Sequence, residues 1–174
     1  MIRLTDYLYD LIQNSIHAFA NHIELSIIKG LLLEVILRDD GIGMDEETLN
    51  KVVSFTYTSR TTRTVGLGLS LIYDLTKQTD GYFNIESKKN QGTTLQLGFN
   101  QNHIDFPEMG DMALLVSDLY MHQDIKHFTL NYFNIHIDLD ELGFNETPKT
   151  FKRKKQLYDI VTNKLIEVAN ENTR

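Results

Sequence analysis

The chain has no cysteine, which excludes disulfides, zinc-thiolate sites and thiol chemistry and leaves the redox compartment undecided. No apolar run reaches the length needed to cross a bilayer, and Met1-Ile2-Arg3-Leu4-Thr5-Asp6 has neither the basic nor the apolar region of a signal peptide. A basic excess is also missing. The formal net charge is −7, whereas neutralising a phosphate backbone takes clustered Lys and Arg, so the composition argues against a nucleic-acid surface. The densest basic run, Lys152-Arg153-Lys154-Lys155, opens a predicted helix and reads as a solvated helix end. There is no internal repeat and no low-complexity tract.

What is present is ordinary globular composition. A length of 174 residues accommodates one domain with a real core, or one domain with a sizeable appendage. Thr5 or Asp6 can cap a helix running to about Ala20, because Leu8, Leu11, Ile12, Ile16 and Phe19 recur at helical spacing. Asp10 and Asn14 then share one face of that helix. Strands are predicted over 24–28 and 31–38, joined at Lys29-Gly30, where glycine can take the positive φ of a tight hairpin. Leu33, Val35 and Leu37 share a face of the second strand. Asp39 continues their parity, which puts a carboxylate at the inner end of an apolar strand.

A short helix opens at Asp45 or Glu46 and runs to about Phe55, and the polar stretch 56–65 is a loop. A further helix covers 67–78 with Leu69, Ile72 and Leu75 or Thr76 inward. After a turn at Asp80-Gly81 come strands over 82–87 and 93–99, separated by a turn at 88–91. This order suits an α+β two-layer sandwich with helices on one face of a mixed β-sheet. The stretch 100–108, around Pro107, is the best internal boundary and divides the chain into 1–100 and 101–174. Beyond it a helix over 109–121, strands over 127–132 and 135–139, and a helix over 150–169 form an αββα extension. Its core is small, so docking on the first unit is expected. Its apolar positions Leu114, Leu115, Leu119, Leu157, Ile160, Val161 and Ile166 read as core.

Four short motifs, each weak alone, follow in one order: Asp10-x-x-x-Asn14, Asp39-x-Gly41-x-Gly43, Gly66-x-Gly68-Leu69 and Gly92-Thr93-Thr94. As a set, over about residues 1–100, they resemble the ATP-binding domain shared by DNA gyrase B, the Hsp90 chaperones, sensor histidine kinases and the mismatch-repair ATPase MutL. LYDLIQNSIHAFA resembles the N-box, VILRDDGIGMD the first glycine box, RTVGLGLSLI the second, and QGTTLQLGF the closing strand. The resemblance implies the Bergerat ATP-binding fold and ATP with Mg²⁺ as cofactors; ATP dependence, with neither a signal peptide nor a membrane-spanning run in the sequence, favours the cytoplasm. Residues 101–174 carry no assignable motif.

The residues suit that chemistry. Adenine's exocyclic amine donates hydrogen bonds, and a carboxylate at the end of a hydrophobic strand, Asp39, is a matching acceptor; the alternative is a turn or cap aspartate. Gly41 and Gly43 are expected to allow close backbone approach and positive φ around base and ribose. Met44 lines the adenine slot or belongs to the core. Triphosphate needs closely approaching donors, and the helix start at Gly66-Leu67-Gly68-Leu69 supplies backbone N–H groups. Before it, Thr58 to Arg63 resembles a short ATP lid, in which Arg60 and Arg63 are read either as phosphate ligands or as solvated loop residues. By resemblance Asn14 offers an amide oxygen to Mg²⁺. The same comparison makes Asp10, one helical turn earlier, the candidate general base. The hydrolytic members carry a glutamate there, and aspartate is shorter by one methylene. His17 stands where histidine kinases often carry a basic residue facing phosphate, or is a surface histidine. Thr94 is preferred over Thr93 as the site hydroxyl.

Three readings follow. The foremost is an ATP-binding protein with slow Mg-dependent hydrolysis, in which lid ordering controls an unidentified protein partner. The others are a protein kinase acting on a partner's serine or histidine, and an ATP sensor without turnover. A self-sufficient sensor kinase is not expected, because only thirteen residues precede Asn14 and no histidine sits in the phosphoacceptor pattern. A gyrase- or MutL-like machine is disfavoured by the short tail.

Overall fold

A computed structural model of the protein describes residues 2–57, 67–145 and 148–171. Its first helix, α1 (Leu4–His17), starts earlier than the expected cap. Arg3 is the N-cap, and Asp6, inside the first turn, accepts the Arg3 N–H at 2.8 Å as one half of a capping box. The helix stops three residues short of Ala20 because Phe19 takes φ 57°, which no α-helix continues through.

Two strands follow, β1 (His22–Lys29) and β2 (Leu33–Asp39). They pair antiparallel from Ile23↔Asp39 to Lys29↔Leu33. The turn between them does not use the positive φ expected at Gly30. It closes instead through the Gly30 N–H on Leu32 O at 3.1 Å, with Leu31 fully exposed. Next come α2 (Glu46–Tyr57), α3 (Leu67–Gln78), β3 (Tyr82–Lys88) and β4 (Gly92–Phe99). Asp45 is the residue that caps α2, accepting the Thr48 N–H at 2.9 Å. In the extension, α4 (Met112–Tyr120) begins three residues later than expected, because Asp111 caps it through the Leu114 N–H. Strands β5 (His127–Tyr132) and β6 (Ile135–Asp138) and the long α5 (Phe151–Glu171) complete the chain.

The six strands of the described residues form one sheet in the order β3-β4-β2-β1-β5-β6. Every neighbouring pair is antiparallel except β1 and β5, which run parallel from His22↔His127 to Ile27↔Tyr132. Period-two alternation gives the sheet two unlike faces. Ile23, Leu25 and Ile27 of β1, Leu33, Val35 and Leu37 of β2, Leu95, Leu97 and Phe99 of β4, and Phe128 and Leu130 of β5 are buried. They meet Leu8 and Ile12 of α1, Ile72 of α3, Leu119 of α4 and Leu157 of α5 in one core. Each such side chain contributes about 1.5–3 kcal/mol by leaving water. The other face is polar, as shown by Arg38 paired with Glu24 at 3.7 Å and Asn131 donating to Glu24 at 2.9 Å. The fold is therefore the expected α+β arrangement, with helices packed against an open, mixed sheet. Leu114 and Ile166 depart from the core reading of the tail: both are exposed, on the outer sides of α4 and α5.

Candidate functional site

At the end of the sheet where β2 finishes and β4 starts, a cavity of about 410 Å³ opens between the sheet, α1, α2 and α3. Its size falls in the range of small-molecule sites. Leu37, Ile85 and Leu95 supply an apolar floor, and Ile42, Met44 and Val52 an apolar side. Asn14 and His17, both exposed, stand at its α1 margin.

Asp39 is the polar centre. Strand parity carries its side chain to the helix side, opposite Ile23 on one neighbour and Thr93 on the other. One carboxylate oxygen accepts the Ser15 hydroxyl at 2.8 Å, and the other accepts the Gly41 N–H at 3.0 Å. A carboxylate offers about four acceptor positions. Two are used, so Asp39 is held in place while keeping acceptor capacity for a donor in the cavity. Ser15 is 3% exposed and lines the cavity. It falls four residues after Leu11 and three after Ile12, so a hydroxyl on the apolar stripe of α1 is the signal that identifies it.

A second polar group comes from the far strands. The Ser87 hydroxyl lies 3.0 Å from Gly92 O and 3.0 Å from the Thr93 hydroxyl, and it accepts the Met44 N–H at 2.8 Å. Because Ser87 has one proton and Gly92 O can only accept, that proton goes to Gly92 O and Thr93 donates to Ser87. Thr93 is left presenting lone pairs to the cavity. This corrects the preference for Thr94, which pairs with Arg38 and Glu86 on the opposite, polar face of the sheet. The reason is parity: Thr93, Leu95, Leu97 and Phe99 share one face.

The two glycines of the β2–α2 loop act mainly on the protein itself. Gly41 does not take the expected positive φ; a Cβ there would lie 2.7 Å from Ala18 O, where the loop crosses the end of α1. Gly43 does take it, at φ 57°, and its Cβ would lie 2.1 Å from Lys88 O. Together they seat the loop between α1 and the β3–β4 turn, which fixes where Asp39 and Met44 stand. Hydrogen bonds from the Thr48 hydroxyl and N–H hold the Asp45 carboxyl below the usual carboxylate range.

Leu67 opens α3 and Leu69 lines the cavity. Gly68 is buried against α1: a Cβ there would meet the Asp10 Cβ at 2.9 Å. Asp10 thus touches the start of α3, yet it is exposed and borders a neighbouring cleft rather than this cavity. Arg60, Arg63 and Gly66 lie outside the described residues. Among the described residues no group of three or more His, Asp or Glu is placed to hold a metal by itself, and Asn14 offers a single amide oxygen at the margin. That donor set fits an ion that brings most of its oxygen ligands with a phosphate chain. An apolar slot with one anchored carboxylate at its end fits a flat heterocycle with an exocyclic amine.

The family model described as histidine kinase-, DNA gyrase B- and HSP90-like ATPase matches residues 1–103. Among solved structures, the ATPase domain of MutL from Aquifex aeolicus complexed with ADP is similar, at TM-score 0.55 and 17% identity, over 88% of this chain and 67% of that one. The N-terminal domain of a DNA repair protein is similar at TM-score 0.52 and 18% identity, over 79% of this chain and 51% of that one. At such identities the likeness speaks for the fold alone. The chain spans about two thirds of the length of the first and half of the second.

Proposed function

The chain belongs to the histidine kinase-, DNA gyrase B- and HSP90-like ATPase family, and on that premise we propose that its cavity binds an adenine nucleotide with Mg²⁺ and that the protein hydrolyses ATP slowly. The observation that carries the reading is Asp39: a carboxylate pinned by Ser15 and Gly41 at the end of an apolar slot, with acceptor capacity left over. In this reading the adenine amine donates to Asp39, the Thr93 hydroxyl accepts from the ligand, and the base lies on Leu37, Ile85 and Met44. Residues 1–100 form the nucleotide-binding unit. Residues 101–174 form an extension attached along the β1 edge.

The phosphates extend toward Asn14, His17 and the start of α3, where backbone N–H groups and the helix dipole favour anions. Asn14 would be the protein ligand of a magnesium ion, which would offset the charge of the phosphates. Asp10, against Gly68, takes a proton from a water whose oxygen bonds to the γ-phosphorus as the bond to the leaving ADP oxygen breaks. Its short side chain and its place outside the cavity make that transfer slow. The bound state is then reported to a protein partner; the stretch Thr58 to Arg63, which resembles a short ATP lid in sequence, lies outside the described residues. The position of Asp10 also favours a second reading, an ATP sensor or a kinase whose substrate protein supplies the acceptor. ATP dependence puts the protein in the cytoplasm; among the described residues no helix is long and apolar enough to cross a membrane.

Calorimetric titration with ATP and ADP, with and without Mg²⁺, followed by phosphate release on the same sample, tests both readings. Binding with release that disappears in Asp10→Asn supports the slow ATPase. Binding without release moves the assignment to sensor or kinase, and no binding removes the nucleotide reading altogether.

A further inference from the structure

A larger cleft, of about 980 Å³, lies at the opposite end of the sheet. It is bounded by the start of α1, the end of β1, the β5–β6 hairpin and α5. The β1 residue at its edge, Lys29, is six positions from Ile23 at the first cavity's end of the sheet, roughly 20 Å along a strand. The nucleotide reading leaves this cleft unused.

One wall breaks a local rule. Tyr132 and Ile135 pair across β5 and β6, so the hairpin has a two-residue loop, Phe133-Asn134. Phe133 takes φ 54°, a conformation in which such loops favour Asn or Gly and which a bulky residue adopts only under constraint. An asparagine is available in the very next position, yet the phenylalanine occupies the strained one. Its N–H donates to Ile27 O at 2.8 Å, which locks the loop to the end of β1. Its ring lies against Tyr132, with centroids 4.2 Å apart and planes at 38°. The two rings form an aromatic wall of the cleft, continued by Ile135. Burial raises the Tyr132 phenol, so its hydroxyl stays a donor at neutral pH. Conflict between local preference and structure is characteristic of functional sites.

The charges at the rim are open. Lys29 is exposed and makes no ion pair among the described residues. Arg3 and Glu108 are only loosely paired, at 3.9 Å, with more than half of each side chain exposed. Asp111, also at the rim, is already used: its oxygens accept the Leu114 N–H and the Tyr158 hydroxyl. The cleft therefore offers two cations, one available carboxylate and an aromatic wall. We infer that this cleft is a second ligand site, which takes an apolar amino acid or dipeptide with free termini. The carboxylate end meets Lys29 and Arg3, the ammonium end meets Glu108, and the apolar body lies on Tyr132 and Phe133. Arg3 is also the N-cap of α1, the helix that carries Asp10 and Asn14, so occupancy of the cleft acts on the same helix as the first cavity. The inference stands independently of whether that cavity binds nucleotide.

Calorimetry of the full chain with the dipeptide Leu-Phe, its N-acetyl form and its C-terminal amide tests this. The free dipeptide is expected to bind, and blocking either end to weaken binding at least tenfold. Lys29→Met should weaken the free dipeptide tenfold or more while leaving the amide unchanged, a coupling that a merely structural lysine would not show. Phe133→Asn, which relieves the loop's φ but gives up the ring's contacts with Tyr132 and the core, should weaken binding of the free dipeptide. The inference is overturned if millimolar Leu-Phe gives neither heat nor a midpoint shift, if the blocked forms bind as well as the free one, or if Lys29→Met leaves affinity unchanged. AMP in place of the dipeptide is the control: binding of AMP at this cleft, lost in Lys29→Met, would also overturn it in favour of a phosphate site. Because Lys29 is exposed, its variant keeps the test valid even if Phe133→Asn does not fold.

Discussion

Asp39→Asn discriminates most sharply between a nucleotide site and a turn aspartate. The Gly41 N–H is a fixed backbone donor 3.0 Å from one Asp39 oxygen, so the asparagine carbonyl must take that side. The amide NH2 then faces Ser15, whose hydroxyl can rotate from donor to acceptor and preserve the contact now made at 2.8 Å. Both internal hydrogen bonds survive in altered form, and the cost to folding should stay below about 1 kcal/mol. The ligand sees a different group. About four acceptor positions fall to two, one of them is taken by Gly41, and the charge is gone.

Losing a charge-assisted hydrogen bond to an adenine amine costs about 1.5–3 kcal/mol, which is a roughly 10- to 150-fold rise in the Kd for ADP. Ser15→Ala removes a bond that orients the carboxylate and leaves its charge, so a smaller rise of about 2- to 10-fold follows. Calorimetric titration of ADP into wild type and the two variants, with thermal midpoints measured alongside, reads both. An Asp39→Asn protein that binds ADP as tightly as wild type, with an unchanged midpoint, would refute the assignment of Asp39 to the base.

Thr93→Val should weaken ADP about 2- to 10-fold through loss of one hydrogen bond, while Thr94→Val, on the solvated face, should not; the reverse order in a titration would reject the strand parity. Gly43→Ala combines a φ of 57° with a Cβ 2.1 Å from Lys88 O, and should cost at least about 2 kcal/mol, seen as a fall of about 4–8 °C in the thermal midpoint. Asp40 gives a pH dependence. Partial desolvation pushes its carboxyl up, but hydrogen bonds from the N–H groups of His22 and Asn21 and from the His22 ring outweigh this and hold it below the ordinary 3.8. The folded state therefore binds fewer protons than the unfolded one just below pH 3.8. Its stabilising contribution is complete above that pH and is lost as pH falls through the lower folded value. Urea denaturation at several acid pH values should show a shallower decline in Asp40→Asn than in wild type, and equal slopes would exclude Asp40 as a contributor.

Periodicity made most of the framework readable, and its failures have a common physical origin. The alternation Leu33, Val35, Leu37 determined which side of β2 Asp39 occupies, and the same rule applied from Phe99 back through Leu97 and Leu95 selects Thr93. The preference for Thr94 set that parity aside. The extent of α3 was readable because Leu69, Ile72 and Leu75 recur at helical spacing and the Asp80-Gly81 turn closes it. The end of α1 was not, because it is decided by residues 20 or more positions away. The Ile42 N–H binds Ala18 O at 2.8 Å and Gly41 presses on the same carbonyl, while Phe19 in the left-handed region turns the chain away. Ser15 was readable only as an anomaly, a hydroxyl on an apolar stripe, since its partner lies in another element.

The position of the extension is the least local feature of all. Parallel pairing of β5 with β1 requires the chain to return after three strands, α2, α3 and α4, and nothing in His127 to Tyr132 specifies which sheet edge receives it. The contacts that select the β1 edge are pairwise and distant. His22 and His127 stack with centroids 4.3 Å apart, the His127 N–H donates to Asn21 O at 3.0 Å, and the Phe133 N–H donates to Ile27 O at the other end of the seam. Each involves one residue from before position 30 and one from after 126. A local pattern can specify that two strands exist and which face of each is apolar, but the choice of neighbour lies in complementary pairs such as these. The same seam joins the β1 strand beside Asp39 to the hairpin that carries Phe133, so one hydrogen-bonded sheet runs from the first cavity to the second.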